Sequence, residues 1–378
     1  MRVQRVVCAG TKTSVRLIDE DGLPVAVVAE FLAHLDARDC SPNTVRAYAY
    51  DLLHFWRFLQ EQGWGWQDFT APRALALLGY LRAVVSAAPA QRLGLSVAAS
   101  VEGRAARRLS PASVNRALAA VSSFYEFVIL SGREGAGGNP IERRPDPALA
   151  RVSERRRPAL GSSSRQQPVR RSVRVKTVER LPRPLSVEQV EALLAAVRSL
   201  RDRALLLLML EGGLRPGEAL GLWLDDIAYG RRRVVVRHRD DHPAGVRSKS
   251  RIERVVDLHE GPALAALSAY VMGKRPAETE SPLVFLIEAG RRRGQPLAYE
   301  GLARLFARAA QRAGIRQVWV TPHTLRHTHA TRMWEGGMRE LALQRRLGHA
   351  SPDSTRRYTR VSDPVVLAEY RRALGGSE

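Results

Sequence analysis

The sequence predicts a mainly α-helical protein with a small antiparallel β-sheet, and three observations carry that expectation. Apolar residues recur at helical spacing along most of the chain. Ser-Pro and Thr-Pro pairs stand where such stretches begin, as N-cap and first helical residue. Two short β-branched runs lie close together in the second half. With 378 residues, 45% of them apolar, the chain is long enough for two domains that each bury a core.

Residues 1–24 are read as an N-terminal extension, and residues 25–142 as a helical domain. Val25 to Leu35 is apolar at helical spacing. Ser41 and Pro42 then open a helix with Val45, Tyr48, Leu52, Phe55 and Leu59 on one face. Ser110 and Pro111 repeat the device, launching a stripe of Val114, Leu118, Val121, Tyr125 and Val128, with Asn115, Arg116 and Ser122 elsewhere on the surface. Ala87 to Arg108, rich in small and basic residues, reads as a joining loop.

Residues 143–183 carry 13 Lys or Arg against three acidic residues, with several prolines and the run Gly161 to Ser164. Lacking large apolar residues, this stretch reads as a basic flexible linker that orders only on a phosphate backbone. The second domain spans 184–378. Ser186 with Gln189 resembles a capping box, followed by Val190, Leu193, Leu194 and Val197 at helical period and a buried helix through Leu210. Arg233 to Arg237 and Arg254 to Leu258 read as two antiparallel strands joined by a long basic turn, and helices resume from Pro262.

Composition narrows the function. Two cysteines, Cys8 and Cys40, supply neither a disulfide framework nor a structural zinc site, which suits a reducing cytoplasm. The longest apolar run, Ala204 to Leu210, is about a third of a membrane span, so no membrane association is expected. Sixty Lys and Arg against 38 Asp and Glu, net +22, favour a polyanionic partner, with nucleic acid foremost. The excess persists outside the linker, so both domains are expected to touch it.

The chain's last quarter holds the chemistry. Thr321, Pro322 and His323 read as N-cap, first and second helical residues, which places His323 and Arg326 on one face of a helix start. The positive end of the helix dipole favours a neutral imidazole there, and the guanidinium offers a planar fork for two phosphate oxygens. A zinc-pair reading of His323 and His327 fails because Thr324 stands where such a motif needs a glutamate. Leu347-Gly348-His349 ends a helix at a glycine, and Ser351-Pro352 opens another that carries Tyr358.

This order, His-Thr-Leu-Arg-His, then Leu-Gly-His, then a tyrosine, resembles the C-terminal signature of the tyrosine recombinases, the phage integrase family. Gly213-Leu-Arg215-Pro-Gly-Glu218-Ala-Leu220 resembles the family's upstream arginine segment. Lys249 to Leu258 resembles its hairpin lysine followed by an arginine and a strand, with Asp257 where proline is usual. Ser41 to Leu59 is similar to its helical core-binding domain. The resemblance runs from about Val25 to about Tyr370, and the short N-terminal extension matches the arm-less type.

The resemblance implies an N-terminal helical core-binding (SAM-like) domain and a C-terminal catalytic domain with a tail helix. It implies Tyr358 as nucleophile, forming a 3′-phosphotyrosyl link that a second strand's 5′-hydroxyl reverses through a Holliday junction. Arg215 and Arg326 would stabilise charge on the phosphate, with Glu218 orienting Arg215. Lys249, on a mobile hairpin, would be the general acid, His323 would assist proton transfer at the tyrosine side, and His349 would hydrogen-bond a phosphate oxygen. No cofactor or metal is implied. The implied partner is double-stranded DNA with paired half-sites, bound by a homodimer at each site and a homotetramer in synapsis, in an integrase or transposase of a mobile element. The alternatives are a type IB topoisomerase-like swivelling enzyme, disfavoured by the N-terminal helical lobe, and a DNA-binding protein without cleavage, disfavoured by the intact tyrosine, arginines and lysine. A basic RNA-binding or architectural protein is the reading from composition alone. Val365, Val366, Leu367 and Tyr370 make the tail amphipathic, docking on a neighbouring subunit or on its own lobe.

Overall fold

The structure, a computed structural model, describes residues 1–7, 13–85, 108–133, 138–145, 169–177, 183–239, 241–247, 252–258, 261–349 and residue 355. It divides into two compact units, Met1–Glu179 and Arg180–Glu378.

The first unit is built on α1 (Ala26–Ala37), α2 (Pro42–Gln62), α3 (Ala74–Ala83) and α4 (Pro111–Leu130). The two expected serine caps are present: Ser41 Oγ accepts from the Thr44 N–H and Ser110 Oγ from the Ser113 N–H, each worth about 1 kcal/mol. The apolar faces meet in one aromatic-rich core, where Phe31 meets Phe124 and Phe55 meets Phe69 edge to face.

Three parts of this unit differ from the sequence reading. The N-terminal extension is a β-hairpin, β1 (Arg2–Val7) antiparallel to β2 (Thr13–Ile18), because Val3, Val15 and Leu17 point to one face and pack onto the helical core. Within the expected linker, β3 (Arg143–Pro145) pairs with β4 (Val169–Arg171). Just beyond, the Asn115 amide donates to the Val175 carbonyl at 2.9 Å and accepts its N–H at 2.8 Å, while Val173 and Val175 rest on the core. The described parts of this stretch are held by backbone pairing and one amide clamp. Ser122, expected on the surface, is fully buried because Asn139 Nδ2 donates to its carbonyl and hydroxyl and Ile141 covers it. Arg116 reaches the buried Asp51 with Nε at 2.7 Å and Nη2 at 3.0 Å. Burial pushes the Asp51 carboxyl up, against the opposing pull of Arg116.

The second unit surrounds α6 (Leu200–Glu211), which packs against α8 (Ala263–Gly273) and α10 (Pro322–Glu335) and is buried all round from Ala204 to Leu210. Before it, α5 (Val187–Ala195) starts with the predicted reciprocal box, Ser186 Oγ accepting from the Gln189 N–H and Gln189 returning to the Ser186 N–H. The short α7 (Pro216–Leu220) leads into β5 (Ile227–Ala228), β6 (Arg233–Val236) and β7 (Arg254–Asp257), a three-stranded antiparallel sheet with Val234 opposite Val256. The two expected strands are there; β5 adds a third. Helices α9 (Tyr299–Arg312) and α11 (Glu340–Leu347) complete the unit, and α11 ends at Gly348 in the left-handed region, φ +63°. Lys249, Tyr358 and the tail Val365 to Tyr370 lie outside the described residues. Among the described residues no helix is long and apolar enough to cross a membrane.

Candidate active site

Three segments distant in the chain meet at one carboxylate. Glu218, third residue of α7, reaches back to the N–H of its N-cap, Arg215, at 2.8 Å and accepts from Arg215 Nη1 at 2.7 Å. From β7, Arg254 closes a fork on the same group, Nη1 to Oε1 at 3.1 Å and Nη2 to Oε2 at 2.7 Å. Arg326, from the first turns of α10, stands 3.7 Å away. Burial alone would raise the Glu218 carboxyl; Arg254 first, then Arg326 and Arg215, overcome it and hold the group down at about 2.

Backbone carbonyls fix the arginines from the other side. Arg326 donates to the carbonyls of Gly213 at 2.7 Å and Leu347 at 2.6 Å. Arg215 donates to those of Leu347 and Gly348, at 3.4 and 3.2 Å, so both guanidinium groups meet at the turn that ends α11. His349 follows immediately, and its Nδ1 lies 2.8 Å from Thr355 Oγ1. Burial first, then Arg326, Arg215 and Arg254, push this imidazole down to about 3, so it is neutral at pH 7. A neutral ring here makes one hydrogen bond through each nitrogen.

Of the residues singled out in the sequence, Arg215, Arg326 and His349 are thus brought together, with Glu218 at the centre in the orienting position expected of it. His323 sits at the start of α10 as expected; its side chain is exposed, whereas Arg326, three residues on, is buried. The expected long, basic turn is engaged with its neighbours where it is described. At its start Arg237 and Arg239 both bind Asp226, and Arg239 stacks on Trp223 at 4.3 Å. At its far side His242 and Val246 are buried, and the Arg247 carbonyl lies where a Cβ on Gly217 would be only 2.6 Å away. The flanks of the expected mobile hairpin are anchored to α7 and to the turn before β5.

Sequence reasoning missed two supports. Arg254 was visible only as the arginine before a strand; nothing local shows that it faces Glu218, 36 residues upstream. His329 donates from Nδ1 to the Leu210 carbonyl at 2.8 Å and accepts from Arg346 Nε at 3.0 Å, while Arg346 also donates to the carbonyls of Glu211 and Asp257. This pair pins α11 to α6, β7 and α10, and nothing local in the sequence shows which carbonyl or guanidinium the His329 ring meets.

Comparison with known proteins identifies the family. The phage integrase family profile matches residues 183–364, and that of the phage integrase N-terminal SAM-like domain matches residues 28–97. Tyrosine recombinase XerC of Pelobacter propionicus is 30% identical over 92% of this chain and 94% of its own length. The chain belongs to the phage integrase family. It is a tyrosine recombinase, an enzyme of site-specific recombination. Transposase A from transposon Tn554 of Staphylococcus aureus is 27% identical over 100% of this chain and 99% of its own. Among solved structures, the XerH site-specific recombinase bound to palindromic difH substrate, in a post-cleavage complex, shares the fold with a TM-score of 0.59 at 18% identity. That match covers 94% of this chain and 90% of XerH.

Proposed function

We propose that this recombinase breaks and rejoins duplex DNA with Tyr358 as nucleophile and with Arg215 and Arg326 holding the scissile phosphate. The observation that carries the reading is that both arginines donate to the single turn leading into His349. Phosphoryl transfer asks a protein chiefly for positioned positive charge around the equatorial oxygens, and side chains already fixed by carbonyls need little rearrangement when substrate arrives.

The Tyr358 oxygen attacks phosphorus and the 5′-oxygen leaves, giving a 3′-phosphotyrosyl link and a 5′-hydroxyl once Lys249 has delivered a proton. His323 assists removal of the phenolic proton. His349, neutral, donates one hydrogen bond to a non-bridging oxygen if Thr355 donates to its Nδ1 and leaves the proton on Nε2. The 5′-hydroxyl of a partner strand then attacks the link, returning the tyrosine and passing through a Holliday junction.

The domain reading is that residues 25–142 form the core-binding domain and residues 184–378 the catalytic one, both touching DNA. A homodimer binds each pair of half-sites and a homotetramer forms in synapsis, in the cytoplasm. Full-length similarity to the Tn554 transposase supports a role in moving a DNA element.

The test is covalent trapping on a nicked duplex built from inverted half-sites that this chain selects from a randomised pool. The wild type is expected to attach through a 3′-phosphate and leave a 5′-hydroxyl, and Tyr358→Phe to bind the duplex without attaching. Attachment by Tyr358→Phe, or attachment through a 5′-phosphate, refutes the reading. Relaxation of supercoils without strand exchange would instead indicate a swivelling enzyme.

A further inference from the structure

We propose that Arg254 is a positioning residue of the recombination reaction: it is the dedicated counter-charge of Glu218, and so leaves the positive charge of Arg215 and Arg326 for the DNA phosphate. The inference rests on the reading that those two arginines hold the phosphate.

A carboxylate with no side-chain exposure must be neutralised where it stands. Three arginines surround Glu218, and the geometry ranks them. Arg254 engages both oxygens fork to fork, at 2.7 and 3.1 Å, and is itself 4% exposed. Its Nε is taken by the Arg346 carbonyl at 2.7 Å, so all three of its nitrogens are committed to protein acceptors. Arg215 offers Glu218 one guanidinium nitrogen and is 18% exposed, and Arg326 makes only the 3.7 Å approach. Three guanidinium groups against one carboxylate leave a formal charge of two. Without Arg254 one remains, and the carboxylate draws on Arg215, whose Nη1 already touches it.

The surrounding backbone is shaped for this guanidinium. A Cβ on Gly348 would stand 2.7 Å from Arg254 Nη1, at a residue whose φ of +63° already disfavours a side chain. The glycine ahead of His349 is thus the wall against which Arg254 lies. Arg254 also opens β7, five residues after Lys249 in the sequence.

The experiment measures single-turnover covalent attachment to the nicked, selected duplex by full-length wild type, Arg254→Lys, Arg254→Gln and Arg254→Gln/Glu218→Gln, alongside duplex affinity and thermal midpoint. Arg254→Gln is expected to slow attachment about 100-fold with affinity nearly kept, as for loss of a transition-state electrostatic group. Arg254→Lys, which retains the charge, should stay within about tenfold of wild type, and the double variant should recover at least about tenfold over Arg254→Gln because the net charge is restored. Equal losses in the Lys and Gln variants, or a double variant no faster than Arg254→Gln, overturn the proposal in favour of a purely structural arginine. If Arg254→Gln does not fold, the folded Lys variant decides: a loss beyond about 100-fold overturns it. Failure of the wild type to attach, or attachment by Tyr358→Phe, strikes the nucleophile reading instead.

Discussion

Acidification from pH 7 to pH 5 asks the ring of His329 to accept a proton that its surroundings refuse. Its Nδ1–H is committed to the Leu210 carbonyl and its Nε2 lone pair to Arg346 Nε, 3.0 Å away. A proton on Nε2 would set donor against donor and charge against charge. Burial first, then Arg346, push its pKa down to about 3, against 6.5 for an unhindered histidine. The unfolded chain therefore binds this proton below 6.5 while the folded chain does not until about 3, so stability is full above 6.5 and declines as pH falls between those values. The slope is about 1.4 kcal/mol per pH unit, or about 2 kcal/mol at pH 5. His329→Gln removes the titration at a cost of about 1–3 kcal/mol at neutral pH, where two buried hydrogen bonds are perturbed. Amide exchange of α10 peptides, corrected for intrinsic rates, reads the opening free energy across pH 5–7.5. Wild-type and variant curves should approach each other by about 2 kcal/mol toward pH 5. Parallel curves would show that the ring is protonated in the folded state and that the Arg346 contact does not restrain it.

Other outcomes follow from the same geometry. Asn115→Ala removes both contacts to Val175 and should raise amide exchange over 169–177 while costing about 1–3 kcal/mol in the first unit; unchanged exchange there would mean the clamp is not what orders the segment. Thr355→Val removes the hydroxyl 2.8 Å from His349 Nδ1; if that hydroxyl sets the tautomer, covalent attachment should slow about tenfold without weaker DNA binding, and full activity would exclude the role. Gly217→Ala drives a Cβ against the Arg247 carbonyl, shifting the segment that ends two residues before Lys249 in the sequence. Attachment should fall while His349-side contacts persist, and a crystal structure with the turn unmoved would contradict this. The carboxyl of Glu218, raised by burial but lowered further by Arg254, contributes stability present above 4.5 and lost as pH falls through about 2. In Arg254→Gln that loss should begin at higher pH in an acid titration of unfolding.

What was legible in the sequence was whatever short-range chemistry decides. Ser41, Ser110 and Ser186 cap helices because a hydroxyl can reach an N–H three residues on, a relation visible in a four-residue window. The same holds for the glycine end of α11. The two valine-rich strands were legible by composition, whereas β5 has only two residues and is defined by its partner. The N-terminal hairpin was missed because its inward set, Val3, Val15 and Leu17, is thin and interleaved with charge. In the site, Arg215, Arg326 and His349 were legible as a resemblance. Arg254, His329 and Thr355 were not, since each owes its place to a partner on another element.

The arrangement of that site answers a physical difficulty. The two arginines proposed to hold the phosphate repel each other, and a flexible pair would swing out to water. Here Gly213, Leu347 and Gly348 present carbonyls that accept from them, which lowers the cost of proximity without cancelling their charge. A carboxylate alone would hold them more tightly but at the expense of the field the substrate needs. Glu218 is present nonetheless, in orienting contact with Arg215, and the third arginine balances it. The acceptors that fix the clamp are thus neutral dipoles, and its one full negative charge carries its own cation, so electrostatic preorganisation is achieved with the attraction for an anion left in place.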